Sequence, residues 1–81
     1  MVTPATLCNA VDAIFPHVDG TATHALMYVN TCAYRVLEGG DEDDVVTLRD
    51  AIATLVATPS SATAHALALR VAEMAEALSI E

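Results

Sequence analysis

Lysine is absent from this chain of 81 residues, and its three arginines face eleven acids, for a formal net charge of −8. A nucleic acid backbone is itself polyanionic and is gripped through lysine and arginine, so direct nucleic acid binding is disfavoured and a basic partner is favoured. Cysteine is almost as scarce. Cys8 and Cys32 lack the close pairing that brings two donors to one zinc ion, and in a reducing compartment they are small apolar thiols with no disulfide between them. Adding His17 and His24 gives a zinc-like set by residue type only, since no compact knuckle has that spacing. There is no Gly-rich phosphate loop, nucleophile elbow or HExxH pattern. His24 and Cys32 are eight residues apart, about two helical turns, too far for a direct hydrogen bond along one helix. No catalytic residue, metal site or cofactor is therefore assigned.

Long apolar runs are missing as well. The longest uncharged window, residues 51–69, is broken by Thr58-Pro59-Ser60-Ser61 and reads as two helices and a turn, not as a membrane span. The opening stretch MVTPATLCNAVDAIF lacks the basic flank and continuous apolar core of a secretory signal, so cytoplasmic residence and no membrane partner are expected.

What remains is helix. Hydrophobic residues make up 54% of the chain and sixteen of them are alanine, which lets helices approach closely while adding little buried area. Val45, Leu48, Ile52 and Leu55 recur at steps of three, four and three and form one helical face, with Asp41 as cap and Thr58-Pro59 as stop. Thr3-Pro4 opens an earlier helix carrying Leu7, Val11 and Ile14, which Pro16 ends. A second has Leu26, Val29, Ala33 and Val36 as its seam, widened by Leu37, and is closed by Gly39-Gly40; Tyr28 and Tyr34 are expected at its margin with rings buried. Ser60-Ser61 caps a fourth with Leu67, Val71, Met74 and Leu78 on its inner face. The spacing thus predicts a single all-α domain over residues 1–81, a compact antiparallel four-helix bundle with helices near 4–15, 22–38, 42–57 and 61–79. A displacement of 41 residues superposes Thr6-Leu7 on Thr47-Leu48 and His24-Ala25-Leu26 on His65-Ala66-Leu67, the pattern of a duplicated helical hairpin.

Asp41, Glu42, Asp43 and Asp44 form the densest charge in the chain. They lack the alternating loop and distant bidentate glutamate of a calcium site. A helix start is stabilised by acids, by about 0.3 to 1 kcal/mol each, but capping occupies only Asp41 and Asp44 and leaves Glu42 and Asp43 in surplus. In an up-down-up-down bundle Glu38, Asp41, Glu42, Asp43, Asp44, Glu76 and Glu81 share one pole, seven of the eleven acids. The expected function is a non-enzymatic protein-protein interaction module that docks this negative pole on a basic surface. In its sharpest form it is an inhibitor that occupies a nucleic-acid-binding protein by imitating phosphate charge. In size and charge the chain resembles the small acidic proteins that viruses direct against restriction or CRISPR nucleases. The competing expectation is a structural or assembly subunit, a homodimer or larger homo-oligomer joined through Ala/Leu-rich helix faces, with the acids serving solubility. A core this small often supplies no more than about 3 to 5 kcal/mol, which makes self-association useful.

Overall fold

Thr3 begins the first helix by accepting the Thr6 N–H on its Oγ1 at 3.2 Å, with Pro4 at the first helical position, where a missing N–H is harmless. The computed structural model describes residues 1–78. In it, helix α1 spans Pro4–Asp12, α2 Gly20–Leu37, α3 Glu42–Ala57 and α4 Ala62–Glu76. Together they make an all-helical bundle with extents of 34 × 20 × 18 Å, in which successive helices pack as antiparallel neighbours and α1 closes on α4.

Helix α1 stops at Asp12, short of the expected residue 15, because the Pro16 ring would collide with the Asp12 carbonyl in a continuing helix. The chain tightens instead into a 3-10 turn, Phe15–His17, held by Ile14 N–H to Val11 O at 3.0 Å and His17 N–H to Ile14 O at 2.9 Å. Ile14 stays buried, and Phe15 packs against the core from this turn. After α2 the chain reverses at Gly39, whose φ of +102° requires a residue without a Cβ, and both Gly39 and Gly40 donate their N–H to the Val36 carbonyl. Ser61 caps α4 by accepting the Ala64 N–H and also donates to the His17 carbonyl at 3.0 Å, tying the start of α4 to the 3-10 turn.

The core is built from Leu7, Val11 and Ile14, from Leu26, Val29 and Val36 of α2, and from Leu48, Ile52 and Leu55 of α3, all buried. Helix α4 differs from the expected pattern. Its buried stripe is Ala64, Ala68, Val71 and Ala75, whereas Leu67, Met74 and Leu78 are half-buried flanks. The centre of its contacts with α3 and α1 is thus lined mostly by small side chains, and the larger ones cover the edges. Two other corrections fall on α2. Leu37 is exposed and does not widen the seam, and Tyr28 and Tyr34 are 56 and 39% exposed, their rings outside the core. The positions related by 41 residues agree in the first half, where Leu7 and Leu48, Val11 and Ile52, and Ile14 and Leu55 are all buried, but Leu26 is buried and Leu67 only partly. No helix among the described residues is long and apolar enough to cross a membrane.

Candidate acidic interface at one pole

Asp41 and Asp44 bind each other's backbone. The Asp44 N–H donates to Asp41 Oδ1 and the Asp41 N–H donates to Asp44 Oδ2, each at 3.2 Å, so two of the donors a helix start leaves orphaned are satisfied. Gly40 makes room for this arrangement. A Cβ there would meet Asp44 Oδ2 at 2.7 Å and the Arg35 carbonyl oxygen at 3.0 Å, so the end of α2 and the start of α3 touch at this point.

Glu42 and Asp43 are exposed at the lip of a groove of about 430 Å³, whose other walls are Val45, Val46, Arg49 and Leu78. Arg49 donates from Nε to the Ala75 carbonyl at 3.1 Å, satisfying one of the orphaned acceptors at the end of α4. On its far side a recess of about 120 Å³ runs between Ala53, Ala72 and Glu76. Val2 bridges to Leu78, so the beginning of the chain lies at this pole too. The structure therefore sets Glu42 and Asp43 with Arg49 on one groove and Glu76 with Arg49 on a second recess, places Asp41 and Asp44 in the cap, and joins Glu38 to that cap through Gly39-Gly40. Glu81 lies outside the described residues.

Arg49 and Val46 were not among the expected site residues. Their signal is the spacing Glu42, Val46, Arg49, steps of four and three that align them on one face of α3. Arg49 adds a cation to the groove that Glu42 and Asp43 line, and Val46, 54% exposed, gives the pole an apolar element beside its charge.

The other reactive groups lie elsewhere. Cys8 and Cys32 are free and buried, and burial, with the Asp12 carboxylate nearby, pushes the Cys8 thiol up, which keeps it protonated and a weak nucleophile. The Tyr34 hydroxyl donates to Asp12 Oδ2 at 3.1 Å, and that bond raises its ionisation above the usual tyrosine range. His24 and His65 are both exposed. Among the described residues no group of three or more His, Cys, Asp or Glu side chains is placed to hold a metal ion. No protein-family model, curated protein or solved structure matches the chain.

Proposed function

We propose that the chain is a non-enzymatic interaction module that docks its acidic pole on a basic protein surface. The observation that carries this reading is the division of labour in the acidic run: Asp41 and Asp44 are consumed by the capping box, while Glu42 and Asp43 remain exposed on the rim of a groove that also presents Val46 and Leu78. A charged rim beside an apolar contact is the ordinary anatomy of a protein interface. In the sharper form of the proposal the partner is a nucleic-acid-binding protein and the carboxylates occupy the place of phosphates, which makes the chain an inhibitor. The alanines at Ala64, Ala68 and Ala75 are used inside the bundle, so self-association would draw on other faces.

The test is kinetic. Once a partner has been captured and identified, Glu42→Gln with Asp43→Asn should slow its association several-fold while leaving dissociation little changed, because rim charges act mainly through steering. The association rate of the unmodified protein should fall with added salt as the field is screened over about 8 to 10 Å. In the inhibitor form, duplex DNA or RNA competes with this protein for the partner. Association that is insensitive both to the double substitution and to salt would overturn the acidic-pole reading.

A further inference from the structure

Apart from Phe15, the aromatic residues of this chain are Tyr28 and Tyr34, and both face outward from α2 with Met27 beside them, exposed by 56, 39 and 53% respectively. On that face the two tyrosines are placed symmetrically. Thr31 is its centre; Tyr28 and Tyr34 stand three residues to either side, Met27 and Arg35 four, and His24 and Glu38 seven. Steps of three, four and seven keep all of these on one side of a helix, and all are exposed.

We propose that this face is the interface of a homodimer, in which α2 pairs with α2 of a second copy, antiparallel and centred on Thr31. In that register, residues equidistant from the centre share a level, and those near the midline of the face or on the same flank meet. Tyr28 and Tyr34 lie about 60° to opposite sides of Thr31, so on one flank of the seam Tyr28 packs beside Arg35 of the second copy and on the other Tyr34 packs beside its Met27. His24 lies opposite Glu38, so imidazole N–H meets carboxylate twice across the two-fold axis. Arg35 comes within reach of the Tyr28 ring face of the second copy. Parallel pairing would instead set Arg35 against Arg35 and Glu38 against Glu38.

Long-range charge selects the same orientation. Two chains of net charge −8 repel, and the acidic pole begins where α2 ends. Antiparallel pairing separates the two Glu38 positions by fourteen residues of helix, about 21 Å at 1.5 Å per residue, and sends the acidic poles to opposite ends of the dimer. That distance exceeds two screening lengths at physiological salt. The Tyr34–Asp12 bond already fixes the Tyr34 ring, which lowers the entropy lost on contact. A single helix face is smaller than the roughly 1,600 Å² of a standard interface, so the dimer is weak and concentration-dependent.

Sedimentation of the unmodified chain from micromolar to millimolar concentration should show the 8.4 kDa monomer giving way to a species of twice that mass. Tyr28→Ala and His24→Glu should each weaken the dimer tenfold or more, and adding Glu38→Arg to His24→Glu should restore it. In a background of Cys8→Ala and Cys32→Ala, Thr31→Cys should cross-link to itself under mild oxidation far faster than Ser60→Cys at the other pole. A monomer at every concentration would overturn the proposal and leave the face to a different protein. A dimer indifferent to Tyr28→Ala and His24→Glu, or a Thr31→Cys link no faster than the Ser60→Cys control, would overturn the interface or its register.

Discussion

Asp41→Ala removes the acceptor for the Asp44 N–H and a negative charge at the start of α3. Loss of an N-cap typically costs about 1 kcal/mol, with a range of roughly 0.5 to 2. The lost charge adds about 0.3 to 1 kcal/mol. A total near 1 to 2 kcal/mol should lower the melting temperature by about 5 to 15 °C in a domain of this size. Gly40→Ala reaches the same bonds from outside. The new Cβ would sit 2.7 Å from Asp44 Oδ2 and 3.0 Å from the Arg35 carbonyl; the Asp44 side chain can rotate away, but only by releasing the Asp41 N–H. The two effects are therefore coupled. In an Asp44→Ala background, Gly40→Ala should cost less than in the unmodified protein, by at least about 0.5 kcal/mol, since the obstructing carboxylate has gone. Glu42→Gln with Asp43→Asn is the control: it loses favourable charge at the helix start but relieves mutual repulsion, and should stay within about 0.5 kcal/mol. Thermal and urea unfolding followed by helical circular dichroism measures all of these. If Asp41→Ala cost no more than the control, or the Gly40→Ala penalty were the same with and without Asp44, the division between capping and surplus acids would be wrong.

Ile52→Ala, at a fully buried site of α3, should cost about 2 to 5 kcal/mol, and Leu67→Ala on the flank of α4 clearly less; equal losses in urea unfolding would contradict the placement of α4. Ala68→Leu should destabilise by about 1 to 3 kcal/mol by overpacking the α4 contact, and a neutral or stabilising result would mean that the contact is loose. Because the bond to Asp12 raises the ionisation of Tyr34, the stabilisation it gives is complete below the usual tyrosine range and lost as pH rises through the raised value. In a Tyr28→Phe background, Asp12→Ala should move the tyrosinate absorbance midpoint down; a midpoint that stays or rises would refute the contact.

The existence of four helices was legible because their ends carry local chemistry. Thr3-Pro4, Gly39, Asp41 and Ser61 each act through neighbours within a few residues, and the structure uses each of them at a helix end. The inner face of α4 was not legible by the same means. Ala64, Ala68, Val71, Ala75 and Leu67, Val71, Met74, Leu78 are both helical stripes through Val71, offset by about 60° at 100° per residue. Hydrophobicity favours the second, but the proximity of two neighbouring helices decides for the first, and proximity is a tertiary quantity. Tyr28 went the same way: a large ring beside Val29 is expected to lie buried at the seam's margin until the seam formed by Ala22, Leu26, Val29, Ala33 and Val36 turns it outward. At the acidic pole, Arg49 lines the groove because α3 carries it two turns down the face that starts at Glu42, a placement that charge counting along the chain does not reveal.

The stripe of alanines in α4 also determines how the chain can drift. A leucine or isoleucine in the core has substitutes of similar volume, and such exchanges usually cost under about 1.5 kcal/mol. Alanine has none. Larger replacements collide with α3 or α1, and the only smaller residue, glycine, loosens the helix by about 1 kcal/mol. Ala64, Ala68 and Ala75, each nearly inaccessible, therefore have fewer tolerated alternatives than the bulky residues they face. The spacing Ala-x3-Ala-x2-Val-x3-Ala is the signature by which a distant relative of this bundle would be recognised after its acids and leucines had changed.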